Sequence, residues 1–239
     1  MKPILIIKTG STLKTVPPER GDFEHWIMAA MRLPEAQFVI CDVMAGEQLP
    51  TPRQISAVVI TGSAAMVTDK LDWSEYTGAF LRQMVDSELP VLGICYGHQL
   101  LAHSLGGVVD YHPHGREIGT TEVRLTAAVK NDPLFADFPA EFPVNVSHRQ
   151  TITLLPEGAE VLAANDFESH HAVRFSKNMW GVQFHPEFAA DIMQIYLAER
   201  EEILLAEGLN VAELQAKVTL TPVAESLLLR FAQLASQAS

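Results

Sequence analysis

The chain carries 239 residues, 48% of them apolar and 19% charged, with a formal net charge of −12. That length and composition allow one large domain with a substantial core and exclude a disordered chain. The acidic balance repels phosphate backbones and anionic membranes, which argues against nucleic-acid and membrane partners.

Taken in chain order, short apolar runs alternate with helical patterns through the first hundred residues. Pro3 to Lys8 reads as a buried strand, too short to be a signal peptide. Phe23, Trp26, Ile27, Ala30 and Met31 recur at helical spacing. Gln37 to Val43 and Ala57 to Ile60 are the second and third strands. Trp73, Tyr76, Phe80, Leu81 and Met84 mark a second helix, and Pro90 to Ile94 a fourth strand. Continuous apolar strands alternating with helices predict a parallel sheet covered on both faces, with sites at the C-terminal strand ends.

After Gly106-Gly107 the pattern changes. Val108 to Asp110, Thr121 to Thr126, Val144 to Val146, Glu160 to Ala163, His171 to Phe175 and Trp180 to Phe184 predict short strands, read as antiparallel additions to the sheet. The helical period returns from Ala189 to Leu205. A last helix is expected over Val223 to Ala235, after the cap pair Thr221-Pro222. No linker divides the chain, so residues 1–239 are expected to form one domain, with 189–239 as a helical extension. No apolar run approaches the ~20 residues that span a bilayer. The two cysteines, Cys41 and Cys95, lie in no disulfide-framework or metal-ligand spacing, so a reducing cytoplasm is the expected location. No metal and no cofactor are expected.

Two segments carry chemistry. Gly93-Ile94-Cys95-Tyr96-Gly97 follows an apolar strand and precedes a helical run. It has the form of a nucleophile elbow with cysteine in the serine position. A sharp strand-to-helix turn aims the central side chain into the site. Glycines two residues to either side allow close backbone approach. The helix N-terminus directs N–H groups and its positive dipole at the sulfur. A buried cysteine in a Gly-rich turn is the structural alternative. Cys41, mid-strand and without glycine neighbours, is read as structural. The second segment, Gly181-Val182-Gln183-Phe184-His185-Pro186-Glu187, places a histidine at a strand end. Residues two apart in extended chain point the same way, so Glu187 can hold the His185 imidazole. A surface strand end is the alternative there.

Together, Leu92 to Leu100 and Gly181 to Glu187 resemble the two signature segments of class I (triad-type) glutamine amidotransferases, especially the amidotransferase domain of GMP synthetases and its stand-alone relatives. The resemblance runs from about residue 58 to 187 through Ile60-Thr61-Gly62-Ser63, Gly115-Arg116-Glu117-Ile118-Gly119 and Val146-Ser147-His148. It implies the family's flavodoxin-like α/β fold and a Cys95–His185–Glu187 triad. It implies an oxyanion hole at Gly62, Ser63 and Tyr96, and substrate contacts from Gln99, Ser147 and His148. The implied substrate is glutamine or another γ-glutamyl compound, and the implied partner is an ammonia-accepting synthetase subunit. Two departures stand out. The oxyanion loop reads Gly62-Ser63-Ala64 where the family often has Gly-Gly-Pro. Gln150 occupies a position that is often acidic and faces the substrate ammonium. No P-loop or other nucleotide signature follows Glu187. A γ-glutamyl peptidase on the same triad and a catalytically silent regulatory protein remain as alternatives.

Three further groups are read as structural. His112-Pro113-His114 and His170-His171 are expected to be solvated loop histidines. Glu199, Arg200, Glu201 and Glu202 are expected to form a solvated helix face. Leu227, Leu228, Phe231 and Leu234 are expected to pack into the core.

Overall fold

The computed structural model describes residues 2–237. A nine-stranded sheet runs β2–β1–β3–β4–β11–β10–β9–β6–β7. Strands β1 (Ile4–Lys8), β2 (Phe38–Asp42), β3 (Ala57–Ile60), β4 (Val91–Ile94) and β11 (Met179–Val182) are mutually parallel. Beyond β11 the sheet turns antiparallel through β10 (Ala172–Ser176), β9 (Glu160–Ala164), β6 (Glu117–Leu125) and β7 (Glu141–His148). A separate pair joins β5 (Val108–Tyr111) to β8 (Gln150–Leu154). The α/β class and the parallel half are as expected from the sequence, and so are the antiparallel additions at β6, β7, β9 and β10; but β11, expected among those additions, pairs parallel with β4, and β5 pairs with β8 outside the main sheet.

Strand β1 shows why this sheet needs helices on both faces. Ile4 and Ile6 pack with Ile27 and Met31 of α1 (Phe23–Met31) and with Leu227, Leu228 and Phe231 of α7 (Pro222–Gln237). Leu5 and Ile7 point the other way, toward Phe80, Leu81 and Met84 of α2 (Asp72–Met84) and Leu100 and Leu101 of α3 (Tyr96–Ser104). All four β1 side chains are buried, each contributing roughly 1.5–3 kcal/mol relative to exposure. The expected coverage fails at β2. This edge strand leaves Val39 and Ile40 partly exposed, because no further strand or helix lies over them.

Three elements differ from the sequence reading. The helical stretch expected over 189–205 breaks at Arg200 into α4 (Ala190–Glu199) and α5 (Glu201–Ala206). Helix α6 (Val211–Lys217) and strand β8 have no counterpart among the sequence expectations, the first because seven residues are too short to display a helical period. Phe23, Phe188, Ile192, Met193, Tyr196, Leu204 and Val211 form a third apolar cluster, which seats α4–α6 against the mouth of the sheet. No helix among the described residues is long and apolar enough to cross a membrane.

Candidate active site

Cys95 sits between β4 and α3 with φ +50 and ψ −98, a backbone state that costs a non-glycine residue of order 1–3 kcal/mol. The surrounding backbone enforces it. Cys95 N–H donates to the Val182 carbonyl at 2.8 Å, and Gln99 N–H to the Cys95 carbonyl at 3.1 Å. A Cβ at Gly93 would lie 2.4 Å from the Gly97 carbonyl oxygen, and one at Gly97 would lie 2.6 Å from the Ile60 oxygen. Both flanking glycines are therefore sterically required. Tyr96 opens α3, and the first N–H groups of a helix have no helical acceptor.

The opposite lip is the Thr61-Gly62-Ser63 segment at the end of β3. Thr9 Oγ1 donates to the Thr61 carbonyl at 2.9 Å and lies 3.2 Å from the Gly62 carbonyl. A Cβ at Gly62 would lie 2.9 Å from His185 Cε1 and 3.9 Å from Cys95 Cβ, so this glycine leaves room for the imidazole beside the sulfur.

His185 follows β11. Its Nδ1–H donates to Glu187 Oε1 at 2.8 Å, and both side chains are buried. That bond leaves Nε2 for the thiol. The ring stacks on Phe188 at 4.0 Å between centroids, with Phe23 beyond. Burial alone would lower the imidazole pKa. The Glu187 and Cys95 charges and hydrogen bonds outweigh it and push the value up to about 10. Asn145, whose role the sequence does not signal, fixes the backbone here. Its carbonyl accepts from His185 N–H at 2.8 Å, and its Nδ2 donates to the Phe188 carbonyl at 3.0 Å.

Two cavities meet at Cys95. The larger, about 170 Å³, is lined by Ser63, Tyr96, Gln99, Ser147, His148 and Gln150, together with Arg116, Arg149 and Arg200. The smaller, about 50 Å³, contains His185, Phe23, Leu13 and Tyr196. Ser63, Ala64, Cys95, Ser147 and Arg200 line both. Every residue singled out from the two signature segments therefore lies in or directly beside this space. Gln99 is braced there, its Nε2 donating to the Gln150 carbonyl and to Gln183 Oε1, both at 2.8 Å. His148 is braced as well. Its Nδ1–H donates to the Gln150 carbonyl at 3.0 Å, and Nε2 lies 2.9 Å from Glu117 Oε2.

Two expectations about charged residues fail. Arg200 is no part of a solvated face: it bends over the Tyr196 ring at 4.6 Å and lines both cavities. The histidines at 112 and 171 are buried, not solvated. His171 Nε2 lies 3.3 Å from Glu117 Oε2, and His112 stacks on Phe167 at 4.1 Å. Burial would raise the Glu117 carboxyl, but His148 and His171 beside it hold it well below the usual carboxylate range. Local sequence does not reveal this network, since its members come from β6, β7 and the turn before β10. No group of three or more His, Cys, Asp or Glu among the described residues could hold a metal ion.

A thiol on a strained turn thus lies beside an imidazole braced by a buried carboxylate. The profile of the class-I glutamine amidotransferases matches residues 21–201. The chain belongs to the class-I glutamine amidotransferase family. It is 31% identical over 171 residues to a separate subunit of the glutamine-hydrolysing GMP synthase of Methanocaldococcus jannaschii, covering 71% of this chain and 85% of that one. The glutamine-hydrolysing GMP synthase of Thermosipho africanus is 37% identical over 134 residues, 55% of this chain and 24% of that protein. The Porphyromonas gingivalis enzyme is 35% identical over 177 residues, 72% of this chain and 31% of that protein. The chain thus spans about a quarter to a third of the length of these two synthases. A crystal structure of a glutamine amidotransferase from Thermotoga maritima shares the fold, with TM-score 0.77 at 23% identity over 98% of this chain and 99% of that one.

Proposed function

We propose that this family member hydrolyses the side-chain amide of glutamine through a γ-glutamyl thioester on Cys95. The observation that carries the reading is the strained Cys95 elbow beside the His185–Glu187 pair, bonded at 2.8 Å. Cys95 Sγ attacks the amide carbon, and the carbonyl electrons move onto oxygen. The N–H groups of Ser63 and Tyr96, with Gly62 shaping the lip, receive that oxyanion; one such donor contributes roughly 3–4 kcal/mol. As the C–N bond breaks, the proton held by His185 passes to the departing ammonia. Water then gives its proton to His185 and adds to the thioester, and glutamate leaves as the thiol recovers the proton. Glu187 holds the imidazole in the required tautomer and balances its charge.

The larger cavity would take the glutamyl group, with Gln99, Ser147 and His148 shaping its wall. Residues 1–239 would act as one unit, a reading supported by α7 packing in the same core as α1. An ammonia-accepting synthetase subunit is the partner this implies, and the resemblance to a separate GMP synthase subunit supports it. A second reading, γ-glutamyl peptide hydrolysis, draws on the smaller cavity. Its Leu13, Phe23 and Tyr196 walls on the His185 side offer apolar surface that a leaving amine larger than ammonia would use.

The test is to incubate the pure protein with glutamine and with a panel of γ-glutamyl peptides and to measure glutamate release. Release from glutamine that disappears in Cys95→Ala supports the first reading. Preference for a peptide supports the second. No release from any substrate, and no Cys95 labelling by a glutamine-shaped electrophile, would leave a silent scaffold.

A further inference from the structure

Arg200 poses an electrostatic problem that the proposed chemistry leaves unanswered. A guanidinium stays charged in proteins, and taking one out of water without a partner is unfavourable. Of the three arginines on the larger cavity, Arg116 is neutralised by a two-pronged pair with Glu207, at 2.8 and 3.1 Å. Arg149 is exposed and lies over Tyr111 at 5.5 Å. Arg200 makes no ion pair among the described residues, and its Nη1 is buried without a hydrogen-bond partner. Burial, and Arg116 among its neighbours, lower its pKa, and its charge is near enough to Cys95 for the two to interact. Tyr196, under the guanidinium, is itself tied to Thr12 Oγ1 at 3.0 Å, so the head group is held rather than loose.

The same cavities contain no aspartate or glutamate among the described lining residues. Gln150, at the position where an acidic residue would meet a substrate ammonium, is turned away. It accepts from Val67 N–H at 3.0 Å and donates to Thr68 Oγ1 at 2.7 Å. In a γ-glutamyl compound the α-carboxylate lies four bonds from the amide carbon, about 5 Å when extended at ~1.5 Å per bond. The larger cavity is lined by both Cys95 and Arg200, the two ends such a group would join.

We propose that Arg200 is the receptor for the α-carboxylate of the γ-glutamyl substrate, and that the site does not require a free α-ammonium. The inference rests on the glutamyl group occupying the larger cavity. It defines the substrate class as ω-amides bearing an α-carboxylate, with the nitrogen on the α-carbon free or acylated.

The test uses binding, so it does not depend on turnover. Cys95→Ala protein is titrated calorimetrically with L-glutamine, with L-glutaminamide (α-carboxylate amidated) and with N-acetyl-L-glutamine. Glutamine is expected to bind about 10- to 100-fold more tightly than glutaminamide, the usual range for a charge-assisted contact. N-acetylglutamine is expected to bind about as well as glutamine. Adding Arg200→Ala should weaken glutamine by that factor, leave glutaminamide unchanged and so erase the discrimination. Arg200→Lys, which keeps the charge, should retain part of it, and circular dichroism melts verify that each variant is folded. Undiminished discrimination in folded Arg200→Ala overturns the receptor. Rejection of N-acetylglutamine by more than about tenfold, or ~1.4 kcal/mol, overturns the statement about the ammonium. If no ligand binds Cys95→Ala, the receptor and the glutamyl site fall together. If glutamine binds with Arg200-dependent discrimination but the native protein releases no glutamate, the receptor stands and the hydrolysis reading falls.

Discussion

The two walls of the site are built on opposite principles. The wall from the parallel half, Thr61–Ala64 with Cys95 and Tyr96, presents backbone. Its geometry follows from glycines that nothing larger could replace, as at Gly93 and Gly97. The wall from the second half presents side chains. Asn145 and His148 of β7, Glu117 of β6 and Arg200 at the α4–α5 break reach the site through tertiary packing. A backbone wall tolerates no change of shape, while a side-chain wall can change its chemistry residue by residue without altering the fold.

The largest predicted effect falls where the walls meet. His185→Ala should lower glutamate release by about 10³-fold or more, measured by coupled assay, with the protein still folded. Near-normal release would place the base elsewhere. The next tests the backbone wall. Gly97→Ala forces a methyl to within 2.6 Å of the Ile60 oxygen, and overpacking of this kind costs ~1–3 kcal/mol or more. Urea unfolding should show a lowered midpoint; an unchanged midpoint would mean that the elbow can yield. On the other wall, Asn145→Ala strands the Phe188 carbonyl and the Thr120 hydroxyl, which donates to Asn145 at 2.7 Å. The expected cost is ~1–3 kcal/mol, with reduced turnover as Phe188 shifts under His185.

A pH titration sharpens the contrast further. The His185 pKa is raised from 6.5 to about 10 in the folded protein, so its contribution to stability is complete below 6.5 and is lost as pH rises through about 10. Glu187→Gln removes part of the attraction and should bring the upper limit of that window to lower pH. Thermal melts between pH 6 and 10.5 measure it, and identical profiles would exclude Glu187 as the cause. The smallest effect is expected far from both walls. Cys41 lies in β2, where burial, then Glu47 and Asp42, push its thiol up. Cys41→Ala should leave turnover unchanged, and mass spectrometry should find Cys95 alkylated well before Cys41.

The same contrast explains what is legible in the sequence. The elbow is legible because glycine spacing reflects a steric requirement in the local chain, and His185-Pro186-Glu187 because residues two apart in extended chain share a side. The strands of the parallel half are legible as continuous apolar runs. Arg200 is not, because four consecutive charged residues resemble a solvated face, and nothing local marks the one that folds inward over Tyr196. The burial of His171 and His112 is hidden for a similar reason: Glu117, beside His171, and Phe167, on which His112 stacks, each lie more than 50 residues away in sequence. Edge exposure at β2 is hidden too, because an apolar run does not state whether a further strand lies beside it.

The position of β4 in the sheet bears on how the site forms during synthesis. This strand, which ends at Cys95, has β3 on one side and β11 on the other, and Cys95 N–H closes onto Val182. As the chain is made β3 is available early, but β11 emerges only after the antiparallel strands. Closing so long a loop is among the slower events of folding. Until it closes, Cys95 lacks both the Val182 carbonyl that holds its turn and the His185 imidazole. Assembly order thus ties two events together: the strand that pairs with β4 beside Cys95 is also the one that delivers His185.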